Sequence, residues 1–314
     1  MDHMHFTLKQ LRYVEAAGRL GSIAKAADEL AISQSSITAA IDSLEFGLDY
    51  DMFVRTPAKG IQPTPSGIEA LEMIRNFIHQ TRQFESELQS IGGDATGLVR
   101  IACYATAAPA FLPPILRDIT VNFPSMSIQV LEGNMASIIQ FLDEGRADLA
   151  FTYEEVTHSG HTFLPLFKAP PYALISVDDP LSRASYVTFQ DLAPRPMVML
   201  DLPRTKEYFL SLFDAHGVKA NIAHTSRSAE IVRALVAGGF GYTVLNIKPQ
   251  NAEGEMTRYK SIPIRAPYAK PHSFGIVTQT AARQPKIVTA FIERCQALQN
   301  NGAFENITVW DTDA

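Results

Sequence analysis

The chain has 314 residues, 46% hydrophobic and 19% charged, enough for two or three packed domains and incompatible with wholesale disorder. Its formal net charge of −6 supplies no global basic field, so any contact with nucleic acid must be local. No apolar run approaches a membrane span of roughly 20 residues, so no membrane partner is expected. Met1–Phe6 has no apolar signal stretch, and two cysteines, Cys103 and Cys295, fit a reducing cytoplasm rather than a disulfide framework.

Residues 1–65 carry short helical patterns separated by turn signals. Thr7 and Gln10 have capping-box spacing, and Phe6 can staple onto Leu11. Gly18 and Gly21 are expected to end this first helix, with Ser22 capping the next. Ile23, Ala26, Ala27 and Leu30 then form one stripe, and a third helix opens at Ser33 with Ile37, Ile41, Leu44 and Leu48 as its inner edge. Turn residues Thr56–Gly60 between Phe53-Val54 and Ile61 read as a hairpin wing. Together these predict a winged helix-turn-helix. Ser33, Gln34, Ser35, Ser36 and Thr38 place short hydrogen-bonding groups at the start of the third helix, where they can reach base edges or simply cap it.

The stretches Leu11-Arg12-Tyr13, Gly21–Leu30, Ser33-Gln34, Leu44-Glu45, Phe53–Thr56 and Thr64–Gly67 resemble, in order and spacing, the DNA-binding domain of LysR-type transcriptional regulators. The resemblance continues more weakly through a linker helix and an effector-binding domain. It implies a homo-oligomer, dimer or tetramer, that binds double-stranded operator DNA in response to a small molecule. Ser22 and the serine-rich helix start would then face DNA, with Lys25, Arg55, Lys59 and Arg12 as phosphate contacts. The sequence departs from the family where Ala39 and Ala40 stand beside Asp42, since a basic residue is common there. Residues 1–65 hold six Lys/Arg against eight Asp/Glu, so few phosphate contacts and a shallow salt dependence are expected.

Residues 66–91 read as one long helix. Thr64 or Ser66 can cap it, Pro65 suits its first position, and Ser66 with Glu69 has capping-box spacing. Ala70, Ile74, Phe77, Thr81, Phe84, Leu88 and Ile91 alternate spacings of four and three; the stripe either packs on the chain's own domains or forms a coiled-coil seam, and the second, preferred reading assigns Ile74, Phe77, Phe84, Leu88 and Ile91 to dimerisation.

After a Gly92-Gly93 hinge, strand and helix patterns alternate. The expectation is an effector domain over 92–314 made of two α/β subdomains, one about 92–166 with 267–314 and the other about 167–266. Each should hold a parallel sheet with crossover helices, resembling the bilobal periplasmic-binding-protein fold. Ligands in such folds sit beyond the carboxyl ends of strands. That rule selects Tyr104, Thr106, Asn134, Met135, Thr152 and Tyr153 on one side, and Pro203, Arg204, Ser226 and Asn246 on the other. Tyr268 is a further candidate, and the family resemblance also implies a ligand contact at Thr106. Arg204 beside a helix start suits a carboxylate ligand, against the alternatives of a solvated charge or a partner for Asp201 or Glu207, so an anionic metabolite is expected.

Other signals are set aside. Gly238–Gly241 follows a helix and precedes a strand, the wrong order for a phosphate loop. His3 with His5, and His158 with His161, have no acid or cysteine beside them at zinc-site spacing, so no metal or cofactor is expected. No nucleophile elbow or metalloprotease helix is present, so a regulator is preferred to an enzyme. The alternative is a bilobal small-molecule-binding protein or enzyme with no direct DNA role.

Overall fold

The computed structural model describes residues 6–56, 60–89, 95–249, 258–266, 271–280 and 284–311. Expectations on Lys59, Ile91, the Gly92-Gly93 hinge, Tyr268, His3 and His5 fall outside the described residues. The chain divides into two compact units after Leu88.

In the first unit, α1 (Leu8–Leu20), α2 (Ile23–Leu30) and α3 (Gln34–Leu48) precede a hairpin, β1 (Phe53–Thr56) and β2 (Gly60–Pro63), and a long helix, α4 (Pro65–Gln89). Local chemistry fixes each start. Thr7 Oγ1 accepts from Gln10 N–H at 3.2 Å while Gln10 Oε1 accepts from Thr7 N–H at 2.8 Å. Ser22 and Ser33 accept from Lys25 N–H and Ser36 N–H, each at 3.3 Å. Ala26 and Ala27 are buried with Leu11, Val14, Ile37 and Ile41, small residues letting the three helices cross closely. Glu45 Oε1 accepts from the amides of Met52 and Phe53 at 2.8 and 3.0 Å, fastening the end of α3 to the wing.

Two expectations in this unit are corrected, on Gly18 and on the α4 stripe, and one left open, the cap of α4, is settled. Gly18 lies inside α1, where a Cβ would come within 2.6 Å of Leu71 Cδ1, and Gly21 alone ends the helix at φ 61°. The cap of α4 is Thr64, whose Oγ1 accepts from Gly67 N–H at 2.9 Å, so Ser66 stands inside the first turn. The stripe on α4 splits. Ile74 is only 8% exposed and is buried with Ala70, Leu71 and Ile78 in the unit's own core, which removes it from the dimerisation set. Phe77, Phe84 and Leu88 remain about half exposed or more, at 49%, 64% and 51%.

The second unit contains two subdomains. The first is a five-stranded sheet of order β4-β3-β5-β12-β6, from β3 (Gly97–Tyr104), β4 (Met126–Gly133), β5 (Leu149–Tyr153), β6 (His161–Ala169) and β12 (His272–Gln279). It is packed by α5 (Ala108–Asn122), α6 (Met135–Asp143) and α10 (Lys286–Asn300). The second has β7 (Tyr172–Ser176), β8 (Pro196–Leu200), β9 (Asn221–Ser226), β10 (Thr243–Leu245) and β11 (Tyr259–Pro263), with α7 (Phe189–Leu192), α8 (Thr205–Ala215) and α9 (Ala229–Ala237). Its buried residues alternate along the strands. Ala173, Ile175, Met197 and Met199 face one core, while Tyr172, Leu174, Val198 and Leu200 face another.

The first sheet is mixed, and the second subdomain divides into an antiparallel three-stranded sheet, β10-β7-β11, and a parallel pair, β8-β9, which corrects the expectation of one parallel sheet in each. β12 runs antiparallel to β5 and β6, and β7 antiparallel to β10 and β11. β6 takes the chain out towards the second subdomain and β12 brings it back, so β12 enters its sheet from the opposite end.

Gly67→Ala tests how α4 is seated, because a Cβ there would stand 1.9 Å from the Met52 carbonyl oxygen, which is rigid backbone. We expect a loss of about 1–3 kcal/mol in urea unfolding of the full chain. Gly18→Ala, whose Cβ meets the side chain of Leu71 rather than backbone, should cost less.

Candidate functional site

The first unit presents the opening turn of α3. Ser33, Gln34, Ser35 and Ser36 are all exposed there, and Thr38 is half-buried. The Ser33 hydroxyl lies 2.9 Å from Ser35 Oγ and 2.8 Å from Ser36 Oγ, so the three form a compact hydroxyl cluster at the helix start. Ser22 is half-buried at its cap, and Lys25 and Arg12 are exposed. Arg55, on the wing, is ion-paired to Asp42 on α3 and lies 3.9 Å from Glu45. That pairing is exposed and of the kind worth about 0–1 kcal/mol, so a phosphate can replace the carboxylate.

The second unit has a cavity of about 620 Å³ in the cleft between its subdomains. Of the predicted residues, Tyr104, Thr106, Met135, Tyr153, Pro203, Arg204 and Asn246 line it. Asn134, Thr152 and Ser226 do not. Asn134 Oδ1 accepts from the amides of Ala136 and Ser137 at 2.9 and 3.1 Å, an N-cap for α6. Thr152 is fully buried beside Tyr153, and alternation along β5 turns it to the other face. Ser226 Oγ accepts from Ser228 N–H at 3.2 Å, serving the loop into α9.

Several lining residues escape the strand-end rule. Tyr208 and Phe209 stand one turn into α8, and Glu155 follows β5 in a 3₁₀ turn. His272 opens β12, so the amino end of an antiparallel strand brings it to the cleft. His272 pairs with Glu155, and its ring lies perpendicular to Tyr208 with centroids 4.3 Å apart. Thr205, the first residue of α8, closes the floor: its hydroxyl lies 3.0 Å from Tyr104 Oη and donates to Met135 Sδ at 3.7 Å. Asn246 Nδ2 donates to Ala169 O at 2.8 Å and to Tyr208 Oη at 3.3 Å.

Leu200, Pro203, Leu245, Ile247, Val156 and the aromatic rings make the wall mostly apolar. Burial raises the phenols of Tyr104 and Tyr153, and pushes Tyr208 up to about 12, so all three present neutral hydroxyls. Arg204 is exposed at the rim with φ +64°, an uncommon left-handed conformation for a side-chain-bearing residue. Asp201, a possible partner for it, pairs instead with Lys206 at 3.2 Å. Among the described residues Arg204 makes no side-chain ion pair.

Elsewhere, one reason for setting His158 and His161 aside is corrected. Asp143, at the end of α6, stands between them in space although it is 15 residues before His158.

A helix-turn-helix with a wing, followed by a bilobal unit with a ligand-sized cleft, defines a DNA-binding regulator with a sensory domain. The comparisons agree. Residues 8–68 match the family described as bacterial regulatory helix-turn-helix protein, lysR family, and residues 92–299 match the LysR substrate binding domain. The chain belongs to the LysR-type family of transcriptional regulators. It is 25% identical over 245 residues to the transcriptional regulator CysB of Haemophilus influenzae, covering 76% of this chain and 75% of that protein. The crystal structure of HinK, a LysR family regulator from Pseudomonas aeruginosa, is 28% identical with a TM-score of 0.60, covering 94% of this chain and 99% of that one. Full-length OxyR from Pseudomonas aeruginosa, at 19% identity, shares the fold with a TM-score of 0.72, over 94% and 96% of the two chains. Among the described residues no helix is long and apolar enough to cross a membrane.

Burial pushes the Cys103 and Cys295 thiols up to about 12, so neither supplies thiolate near neutral pH. We expect a thiol-labelling disulfide reagent to leave the native chain unmodified at pH 8 and to label both cysteines in denaturant. Their raised values also have a sign: the contribution to stability is complete below the unfolded thiol value near 9 and is lost as pH rises towards 12. Denaturation midpoints measured from pH 8 to 11 should fall at the alkaline end.

Proposed function

We propose that this regulator's operator binding or promoter activity is set by a small, carboxylate-bearing metabolite held in the cleft, in a cytoplasmic homo-oligomer. The observation that carries this reading is Arg204, a guanidinium without an ion partner among the described residues, at the rim of an otherwise apolar and aromatic cavity. The wall takes up a hydrocarbon body, and Arg204 with the neutral hydroxyls of Tyr104 and Thr106 takes a carboxylate. On the DNA side, the serine cluster of α3 reads base edges while Lys25, Arg12, Arg55 and Lys59 meet phosphates. The exposed Phe77, Phe84 and Leu88 of α4 pair subunits, so that two recognition helices act together.

A panel of aliphatic and aromatic carboxylates, screened by thermal shift on the full chain, tests the ligand class. At least one should raise Tm by mass action. Arg204→Ala should weaken that ligand about tenfold or more, since a charge-assisted hydrogen bond is worth about 1.5–3 kcal/mol. Equal affinity in calorimetry for both proteins removes the carboxylate assignment. In gel shifts with the protein's own upstream DNA, the salt slope for a dimer should be no steeper than about −7, from four phosphate contacts per subunit at about 0.9 each.

A further inference from the structure

We propose that Asp143, His158 and His161 form a binding site for a divalent transition cation, zinc in the first place, distinct from the effector cleft. His158–His161 is a tight turn in which His161 N–H donates to His158 O at 2.9 Å. The turn brings the two imidazoles face to face, with ring centroids 3.7 Å apart. Both Nε2 atoms converge on one carboxylate oxygen: His161 Nε2 is 2.7 Å and His158 Nε2 3.3 Å from Asp143 Oδ1. The three ligand atoms all lie within 4.8 Å of one another. Nitrogen and oxygen ligands of tetrahedral zinc, at about 2.0–2.2 Å from the ion, are about 3.3 Å apart, so small side-chain adjustments admit the metal.

The donors are held by backbone contacts of separate elements. Gln279 Nε2 donates to Leu142 O at 2.7 Å and to Asp143 O at 3.4 Å, fixing the end of α6. Thr280 N–H donates to Gly160 O at 2.8 Å, pinning the histidine turn to the end of β12. A Cβ on Gly160 would lie 3.0 Å from His158 Cε1, so glycine leaves room for the ring. A single imidazole would satisfy the carboxylate as a hydrogen-bond donor. The second, aimed at the same oxygen, is what a coordination set adds.

Two imidazoles and one carboxylate favour zinc, cobalt, nickel or copper over magnesium, which prefers oxygen alone. His158 is 54% exposed, which leaves a coordination position open to water. Without the ion, His158 Nδ1 accepts from Gly160 N–H at 3.1 Å and His161 Nδ1 from His158 N–H at 3.4 Å, so each Nε2 carries the ring proton. Coordination moves that proton to Nδ1 in each ring, releases none, and gives up both amide contacts. The site is therefore weaker than a closed four-ligand zinc centre.

The test uses the untagged full chain carrying His3→Ala and His5→Ala, which removes competing ligands near the amino terminus. Zinc chloride should raise Tm by several degrees and magnesium chloride should not. Cobalt(II) should give visible ligand-field absorption that saturates at one ion per chain. Asp143→Asn and His161→Gln should each weaken the cobalt titration by at least about tenfold. His158→Ala, at the most exposed ring, is the variant least able to disturb folding, and circular dichroism checks that it is folded. No zinc response, an equal response to magnesium, or an unchanged cobalt spectrum in His158→Ala would each overturn the proposal.

Discussion

Two strands carry the chain between the subdomains of the second unit, and their pairing decides where a cavity can form. β6 leaves the first sheet at Ala169 and β12 returns at His272, and these two residues are register partners. The crossing point therefore opens directly into the cleft, with Asn246 bonded to the Ala169 carbonyl and His272 paired to Glu155. Pro165 lies within β6, where an interior strand would lose a ladder donor, but β6 is the sheet edge. Gly275 sits opposite it, and a Cβ there would meet the Leu164 carbonyl oxygen at 2.1 Å. The bulge at this point lets an irregular edge strand stay paired while it redirects the chain.

Much of this was legible from the residues, for identifiable reasons. Caps are local, so Thr7, Ser22 and Ser33 announced their helices from side-chain chemistry a few positions away. Buried strands such as β5 and β7 announced themselves by continuous apolar runs. β6 did not, because Pro165 and the polar flank at His161–Thr162 break its pattern. Strand direction is also silent in sequence, which is why His272 was missed: the strand-end rule looks to carboxyl ends, and β12 runs the other way. The same limit separates Ile74 from Phe77 on α4. Spacing places both on one stripe, but only the packing of α4 on its own unit decides which faces inward. Asp143 with the His158–His161 pair shows the long-range case, since a cluster assembled from a helix end and a strand start leaves no spacing to read.

The first unit resolves the tension between a DNA-binding fold and an acidic local balance. Glu45 Oε1 is committed to the Met52 and Phe53 amides, while its Oε2 lies 3.9 Å from Arg55. Glu15 and Glu29 are committed to Arg19. Among the described residues, Asp42 and, more distantly, Glu45 pair with Arg55, a cation that the family pattern directs to DNA. The formal charge count thus overstates the repulsion a duplex meets. Few cations are left for phosphates in the proposed DNA contact, in which binding by linked subunits would then matter more than the affinity of one wing.

Regulation asks one more thing of the cleft. A ligand shifts a population only by binding one arrangement better than another, and a tenfold shift needs about 1.4 kcal/mol of difference. Tyr104 and Thr205 already bond across the cleft floor, joining the two subdomains without a ligand. In the proposed complex an apolar body above that bond would add contacts to both walls, and Arg204, at the N-cap of α8, would act from the second subdomain, since no described carboxylate of the first pairs with it. In the proposed complex, a carboxylate on Arg204 attached to a hydrocarbon against Tyr153 and Val156 would link the walls by a second, charge-dependent contact. One charge-assisted hydrogen bond is large enough to supply the required difference.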